Sequence, residues 1–75
     1  MTTTTDYIVT GMTCAHCVAA VTGELHDVPG VQAVSIHLVA NGGSTVTVRS
    51  AGALPEKVIR EAVVEAGYEL QAARP

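Results

Sequence analysis

Apolar and polar residues alternate along two neighbouring stretches in the middle of the chain. In residues 34–39, Val34, Ile36 and Leu38 occupy every second position, and residues 45–49 repeat the pattern with Val46 and Val48. A period of two places these side chains on one face of a strand, so both stretches predict β-strands with one buried face. Asn41-Gly42 lies between them and is a strong hairpin signal.

Two other stretches carry the spacing of amphipathic helices. The first covers about residues 17–26, where Val18, Val21 and Leu25 share one side. The second begins at Pro55, which suits the first position of a helix, and stops at Gly67. Its inward side is predicted to comprise Val58, Ile59, Ala62, Val63 and Ala66. Both segments therefore predict helices that pack against the strands.

Short strand-like runs stand at both ends of the chain. Residues 7–10 are β-branched and aromatic, and residues 68–72 form a last short strand with Leu70 as its expected core residue. The order βαββαβ predicts an α+β, ferredoxin-like sandwich, with two helices on one face of a four-stranded antiparallel sheet. Thr2 to Thr5 form a polar run, so residues 1–5 are predicted to be a disordered tail and the folded domain is expected over residues 6–75.

Composition narrows the class of protein. The chain has 75 residues and no Phe or Trp, which indicates one small domain with an aliphatic core. Its net charge is −3 with only four Lys and Arg, so binding to nucleic acid is not expected. Neither a signal peptide nor an apolar run long enough for membrane insertion is visible, so we expect a cytoplasmic protein. Two cysteines cannot form a disulfide framework, and in a reducing compartment they stay thiols.

Both cysteines lie in residues 11–17, GMTCAHC, between the first strand and the first helix. The C-x-x-C spacing lets the sulfurs of Cys14 and Cys17 converge on one ion. Backbone N–H groups and the positive end of the helix face these sulfurs, which favours thiolates near neutral pH. Soft thiolates select Cu(I) and can hold it with few ligands. The motif therefore predicts a Cu(I) site formed by Cys14 and Cys17.

The chain resembles the heavy-metal-associated domains of bacterial CopZ-type copper chaperones over about residues 6–72. The resemblance rests on Gly11-Met12-Thr13-Cys14-x-x-Cys17, on the helix residues after it, on Pro29-Gly30-Val31 and on Gly67-Tyr68. It implies that Cys14 and Cys17 bind Cu(I) and pass it to a copper-exporting P-type ATPase. It further implies delivery to a copper-sensing repressor in some members, and copper-bridged homodimers.

The same resemblance implies roles for residues near the site that are not ligands. Met12 would pack beneath the loop as a core residue, and Tyr68 would lie near the loop and shield the ion. Thr13 lies within the motif. His16 is also inside it but is expected to point away from the sulfurs as a solvated side chain, while a third ligand or a proton-linked modulator is the alternative. His37 is expected to face solvent, and His26, near the end of the first helix, is given no metal role.

Three other functions compete with a copper carrier. A thiol–disulfide oxidoreductase would need a larger βαβ domain, and here no Pro stands between the cysteines. A Zn(II) or Cd(II) carrier remains an alternative because of His16, although zinc prefers four ligands and the nearest acidic residues are Asp6 and Glu24. The third is a metal-binding domain excised from a transporter or from a mercury-handling protein. The Met1 start and the short tail after Leu70 favour a free carrier, which is not an enzyme.

Overall fold

The computed structural model describes residues 2–40 and 42–74. Six elements follow one another in the predicted order: β1 (Thr3–Thr10), α1 (Ala15–His26), β2 (Val31–His37), β3 (Ser44–Ser50), α2 (Glu56–Glu65) and β4 (Glu69–Arg74). The strands form one four-stranded sheet in the order β2-β3-β1-β4, in which every neighbouring pair is antiparallel. The predicted α+β, ferredoxin-like fold is confirmed.

The register of the sheet places the apolar alternation on one face. Val34 stands opposite Val48, and Ile36 stands opposite Val46, which also faces Tyr7 on β1. Residues paired in this way share a face of the sheet. Both helices pack on this face and join it in a single core, which contains Tyr7, Val9, Met12, Val21, Leu25, Val28, Val46, Val48, Ile59, Ala62, Val63 and Leu70.

The buried face of β2 is less covered than the alternation suggests. Val34, Ile36 and Leu38 are only half-buried, although they pack against the core. The reason is topological, because β2 is an edge strand and has a neighbour on one side only. Alternation reveals which face is apolar, but it does not reveal the position of a strand in the sheet.

The start of the chain differs from the predicted tail over residues 1–5. Thr3–Thr5 belongs to β1, where it pairs with the end of β3 from Ser50 to Val48; Met1 lies outside the described residues. The threonines have no apolar alternation of their own, but β3 extends far enough to offer them backbone partners. The Thr47 hydroxyl also donates to Oδ1 of Asp6 at 2.7 Å, which ties the two strands together.

The connection between β2 and β3 is longer than a two-residue turn. The two strands are antiparallel neighbours in the sheet, and residues 38–43 lie between them in the sequence. Of these residues, Asn41 lies outside the described residues. Ser44 is fully buried, and its Oγ accepts a hydrogen bond from the Val39 N–H at 2.9 Å. This bond fixes the connection where it enters β3.

Both helices begin elsewhere than predicted, and α2 ends as predicted. α1 begins at Ala15 because the Cys14 carbonyl already accepts the N–H groups of Cys17 and Val18. Pro55 is the residue before α2 rather than its first residue. At the other end Gly67 has φ +94°, which L-residues with side chains rarely adopt.

Three connections meet at one end of the sheet. β1 and β2 both run towards this end, since each is antiparallel to β3. The β1–α1 loop, residues 38–40 with 42–43, and the turn between α2 and β4 therefore lie there. Of the two candidate ligands, Cys14 ends the first of these connections, and Cys17 follows in the first turn of α1. Across residues 2–40 and 42–74, no helix has the length and apolar character needed to cross a bilayer.

Candidate metal centre

Residues 11–14 connect β1 to α1, and one of them, Met12, packs in the hydrophobic core. Gly11 turns the chain with φ +97°, and Met12 follows with none of its surface exposed. Thr13 and Cys14 are exposed, whereas Cys17 is half-buried in the first turn of α1. Met12 therefore anchors the loop in the core, and the residues after it present a hydroxyl and a thiol to solvent.

The two sulfurs lie close together. Cys14 Sγ and Cys17 Sγ are 3.6 Å apart, and both cysteines are free thiols. Cys14 occupies the N-cap position and makes no side-chain capping hydrogen bond. The first turn of α1 carries no acidic residue, so the positive end of this helix faces the sulfurs without a carboxylate to neutralise it.

The surroundings of Cys17 favour its thiolate. A hydrogen bond from the Thr13 backbone N–H is the largest cause, and it helps to lower the pKa of Cys17 from 9.0 to about 6. A hydrogen bond with the Tyr68 side chain acts in the same direction, while partial burial opposes both. The Thr13 hydroxyl lies 3.9 Å from Cys17 Sγ. Cys17 is therefore mainly a thiolate at neutral pH.

Tyr68 reaches the site from the turn after α2. Hydrogen bonding of its phenol with Cys17 is the main reason why the pKa of Tyr68 is raised, and burial acts in the same direction. A phenol that donates to the Cys17 thiolate accounts for both shifts. The ring packs half-buried against the core and against Gly11.

An open cleft of about 290 Å³ adjoins the site, lined by Thr10, Gly11, Gly67, Tyr68 and Glu69. Of these residues, Thr10, Gly67 and Glu69 were not among the predicted site residues. Gln71 Nε2 donates to Thr10 Oγ1 at 3.2 Å and to Glu69 Oε1 at 3.1 Å, so its side chain links two of the lining residues. The signal for this neighbourhood in the sequence is Gly67-Tyr68, where a helix stop is followed directly by an aromatic residue.

The histidines lie apart from one another. His16 is exposed at the second position of α1, His26 is exposed at the helix end, and His37 is exposed at the end of β2. Within the part of the chain that the structure describes, no group of three or more His, Cys, Asp or Glu side chains is arranged to hold a metal ion. The geometry thus brings together two sulfurs and a phenol.

Comparison with known proteins agrees with this arrangement. The heavy-metal-associated domain profile matches residues 6–69. The chain belongs to this family. Such a domain is a metal-binding module, and this one is related to the domains of copper transporters and copper chaperones.

Three proteins that are similar to this chain contain such a domain in different settings. The chain is 38% identical over 69 residues to copper-transporting ATPase 1 of Rhizobium meliloti (strain 1021), and the match covers 92% of the chain and 8% of that ATPase. It superposes on the Cu(I)-loaded first domain of the human copper chaperone for SOD1 with TM-score 0.73 and 31% identity, covering 93% of the chain and 90% of that domain. The apo N-terminal domain of ZntA shares the fold, with TM-score 0.80, 24% identity and coverage of 95% and 92%.

Proposed function

We propose that this domain carries Cu(I) in the cytoplasm, holds it between Cys14 and Cys17, and passes it to a copper-exporting P-type ATPase by ligand exchange. It is a carrier and catalyses no reaction. The observation that supports this best is the pair of free sulfurs 3.6 Å apart at a helix start that has no acidic residue in its first turn. A bis-thiolate Cu(I) unit has a net charge of −1, which the positive end of α1 stabilises.

The number of available ligands favours Cu(I) over Zn(II) or Cd(II). Zinc prefers four ligands, and no third or fourth His, Cys, Asp or Glu joins the two cysteines among the described residues. Taking a metal–sulfur bond as about 2.3 Å, sulfurs in a linear unit are about 4.6 Å apart. The pair would therefore open by about 1 Å on loading. Cys14 is on the exposed side of the loop and can make this movement.

Four neighbouring residues have supporting roles in this proposal and are not ligands. Met12 anchors the loop in the core, and Thr13 donates its backbone N–H to Cys17. Tyr68 covers the ion on one side. His16 is exposed and stays in solvent.

Titration with Cu(I) against a competing chelator under reducing conditions tests this function. The parent should take up one Cu(I) per chain tightly and bind Zn(II) much more weakly. The Cys14→Ser, Cys17→Ser double variant should keep its circular dichroism spectrum and lose more than about a thousandfold in Cu(I) affinity, or about 4 kcal/mol. A double variant that competes with the chelator like the parent would show that the site is elsewhere.

Transfer is expected to start at Cys14. Cys14 is exposed, whereas Cys17 is half-buried in α1, so an incoming thiolate reaches the ion more easily on the Cys14 side. The partner would dock on the loop and on the exposed residues at the start of α1, namely Ala15, His16, Ala19 and Ala20. Each single Cys→Ser variant can be mixed with copper and an ATPase domain. Trapping of a copper-bridged complex should be better when Cys17 remains, and equal trapping would reject this order.

A copper-bridged homodimer is a related prediction. Exposed thiolates have further lone pairs, so sulfurs of two chains can share Cu(I) at higher loading. Sedimentation above one copper per chain should then show a dimer, and a monomer at every loading would contradict it. Delivery to a copper-sensing repressor also stays a prediction.

A second candidate is that the chain is a metal-binding domain of a P-type ATPase. The match to the Rhizobium ATPase supports it, since nearly the whole chain aligns with 8% of that protein. The same two thiolates would then pass Cu(I) within one protein. An antibody against the chain separates the two cases in the native cell, because a free carrier gives a product near 7.7 kDa and an ATPase gives a far larger one.

A further inference from the structure

The turn that begins the loop lies directly against Tyr68. β1 and β4 pair as far as Thr10 and Glu69, so Gly11 and Tyr68 face each other one step beyond the last pair. A Cβ atom at Gly11 would stand 3.3 Å from Cδ1 of Tyr68. This is shorter than the best separation of two carbon atoms, which is about 3.5–4.0 Å. A side chain at Gly11 would therefore push against the ring.

Tyr68 cannot avoid such a push by moving its backbone. The Tyr68 N–H donates to the Val63 carbonyl at 3.1 Å, and the Gly67 N–H donates to the Val64 carbonyl at 2.9 Å. Together they form the two-bond Schellman motif that ends α2. With its backbone held, the ring can only rotate about its side-chain bonds, and rotation takes its hydroxyl away from Cys17.

We propose that Gly11 is a positioning residue, whose missing side chain leaves the space in which the Tyr68 ring covers Cys17 and slows the loss of cargo. The second part of this proposal, the slower loss of the bound ion, rests on the proposed Cu(I) function. The cover itself is a property of the metal-free protein and can be measured there.

The first test measures access to Cys17 without metal, in a Cys14→Ser background. Cys17 is alkylated with a bulky uncharged maleimide and, separately, with iodoacetamide. Both reagents attack the thiolate, so the ratio of the two rates cancels the thiolate fraction and reports steric access. Gly11→Ala and Tyr68→Ala should each raise this ratio, by about two- to tenfold, the range for loss of one hydrogen-bonded contact. In the Tyr68→Ala background, Gly11→Ala should add nothing.

Gly30 provides a matched control, because it also has positive φ and also lies near a side chain. Gly30 has φ +94°, and a Cβ there would stand 3.6 Å from Leu54 Cδ2, an ordinary contact. Gly30→Ala thus has the same backbone penalty and should leave the ratio unchanged. If Gly11→Ala lowers stability too far, Gly11→Asn serves instead, because Asn tolerates positive φ. An unchanged ratio in the Gly11 variants, or a further rise in the Tyr68→Ala background, would overturn the proposal.

The second test measures cargo in the chain with both cysteines. Release of Cu(I) to excess chelator should be about two- to tenfold faster in Gly11→Ala than in the parent, and unchanged in Gly30→Ala. The two proposals can fail separately. A protein that binds no Cu(I) but shows the expected alkylation ratios refutes the copper function alone. A protein that binds Cu(I) while Gly11→Ala changes neither readout refutes the role of Gly11 alone.

Discussion

α1 and α2 occupy equivalent places in the fold, but their first turns are built differently. Neither helix has a side-chain capping hydrogen bond at its start. α2 compensates with Glu56 in its first turn, whereas α1 has no acidic residue there and presents two thiols instead. Glu24 is the one Asp, Glu, Lys or Arg of α1, whereas half of the α2 sequence, EKVIREAVVE, is charged. The exposed side of α1 is formed mainly by small or uncharged residues.

This difference indicates that α2 is structural, whereas the start of α1 is the surface that presents the thiols. α2 is a charged, amphipathic helix whose main task is to cover the sheet and to hold Tyr68 at its end. α1 also covers the sheet, through Val21 and Leu25, but no carboxylate in its first turn neutralises the positive potential at its start. A fixed carboxylate there would stabilise the helix and would repel a bis-thiolate metal unit. The helix start is thus kept free for the sulfurs.

The largest effect on stability should come from the buried side of each helix, where α1 and α2 are alike. Leu25 in α1 and Ile59 in α2 are both fully buried, so Leu25→Ala and Ile59→Ala should each lower the free energy of unfolding by about 2–5 kcal/mol. Urea denaturation measures both. Val64→Ala on the exposed side of α2 is the control, with a change within about 0.5 kcal/mol. A much smaller loss for Leu25→Ala would mean that α1 is not an equal part of the scaffold.

The second effect compares a thiol at the same position of both helix starts. Cys17 is the third residue of α1, and Val58 is the third residue of α2. In a Cys14→Ser background, the alkylation rate of Cys17 should rise with pH around a midpoint below the ordinary value of 9.0, because the two largest causes of the lowered pKa, the Thr13 N–H and Tyr68, are still present. A Val58→Cys thiol, made with both native cysteines replaced by Ser, lacks the Thr13 N–H and Tyr68, and should titrate above about pH 8. Equal midpoints would mean that the helix start alone lowers the pKa.

The same shift makes stability depend on pH in a defined direction. The folded pKa of Cys17 lies near 6 and the unfolded value near 9.0, so the folded state favours the thiolate. Its stabilisation is complete above pH 9 and is lost as the pH falls towards 6. The stability difference between the Cys14→Ser variant and the double Ser variant should therefore shift towards the Cys17-containing protein as the pH rises from 6 to 9.

A smaller effect is expected at the second residue of α1. His16→Ala should change the Cu(I) affinity by less than about tenfold, or about 1.4 kcal/mol, because the imidazole is exposed and outside any three-ligand group. The chelator competition measures this, with His26→Ala at the far end of the helix as the control. A larger loss would make His16 a ligand and would strengthen the zinc alternative.

The smallest effect concerns the charges of α2. Arg60 donates to the Leu70 carbonyl at 3.2 Å and lies 3.5 Å from the Glu56 carboxylate. Both side chains of the ion pair are about half exposed, so Arg60→Met should lower stability by only about 0.5–1 kcal/mol. Lys57→Met on the same helix is the control and should change less. Any effect of Arg60→Met on Cu(I) affinity would contradict the separation of scaffold and site.

The sequence pattern predicted the topology but not the finer surroundings of the site. Alternation and helical spacing were sufficient for βαββαβ, and Gly67 was recognised as a helix stop. The strand formed by Thr3–Thr5 was missed because its pairing comes from β3 rather than from its own pattern. Likewise, the helix start predicted a reactive Cys17, but the leading contribution comes from the Thr13 N–H. That group depends on how Gly11 and Met12 shape the loop, which residue spacing does not encode.

If the proposed function holds, the absent side-chain cap at Cys14 has a consequence for how a partner would distinguish the loaded protein from the empty one. Helix starts without capping side chains fray readily, so the first amides of α1 should exchange with solvent deuterium quickly in the empty protein. An ion that bridges Cys14 and Cys17 links the residue before the helix to its first turn and should slow this exchange. Loading would then be visible in the backbone that the partner touches, as order in the first turn rather than as a change of shape.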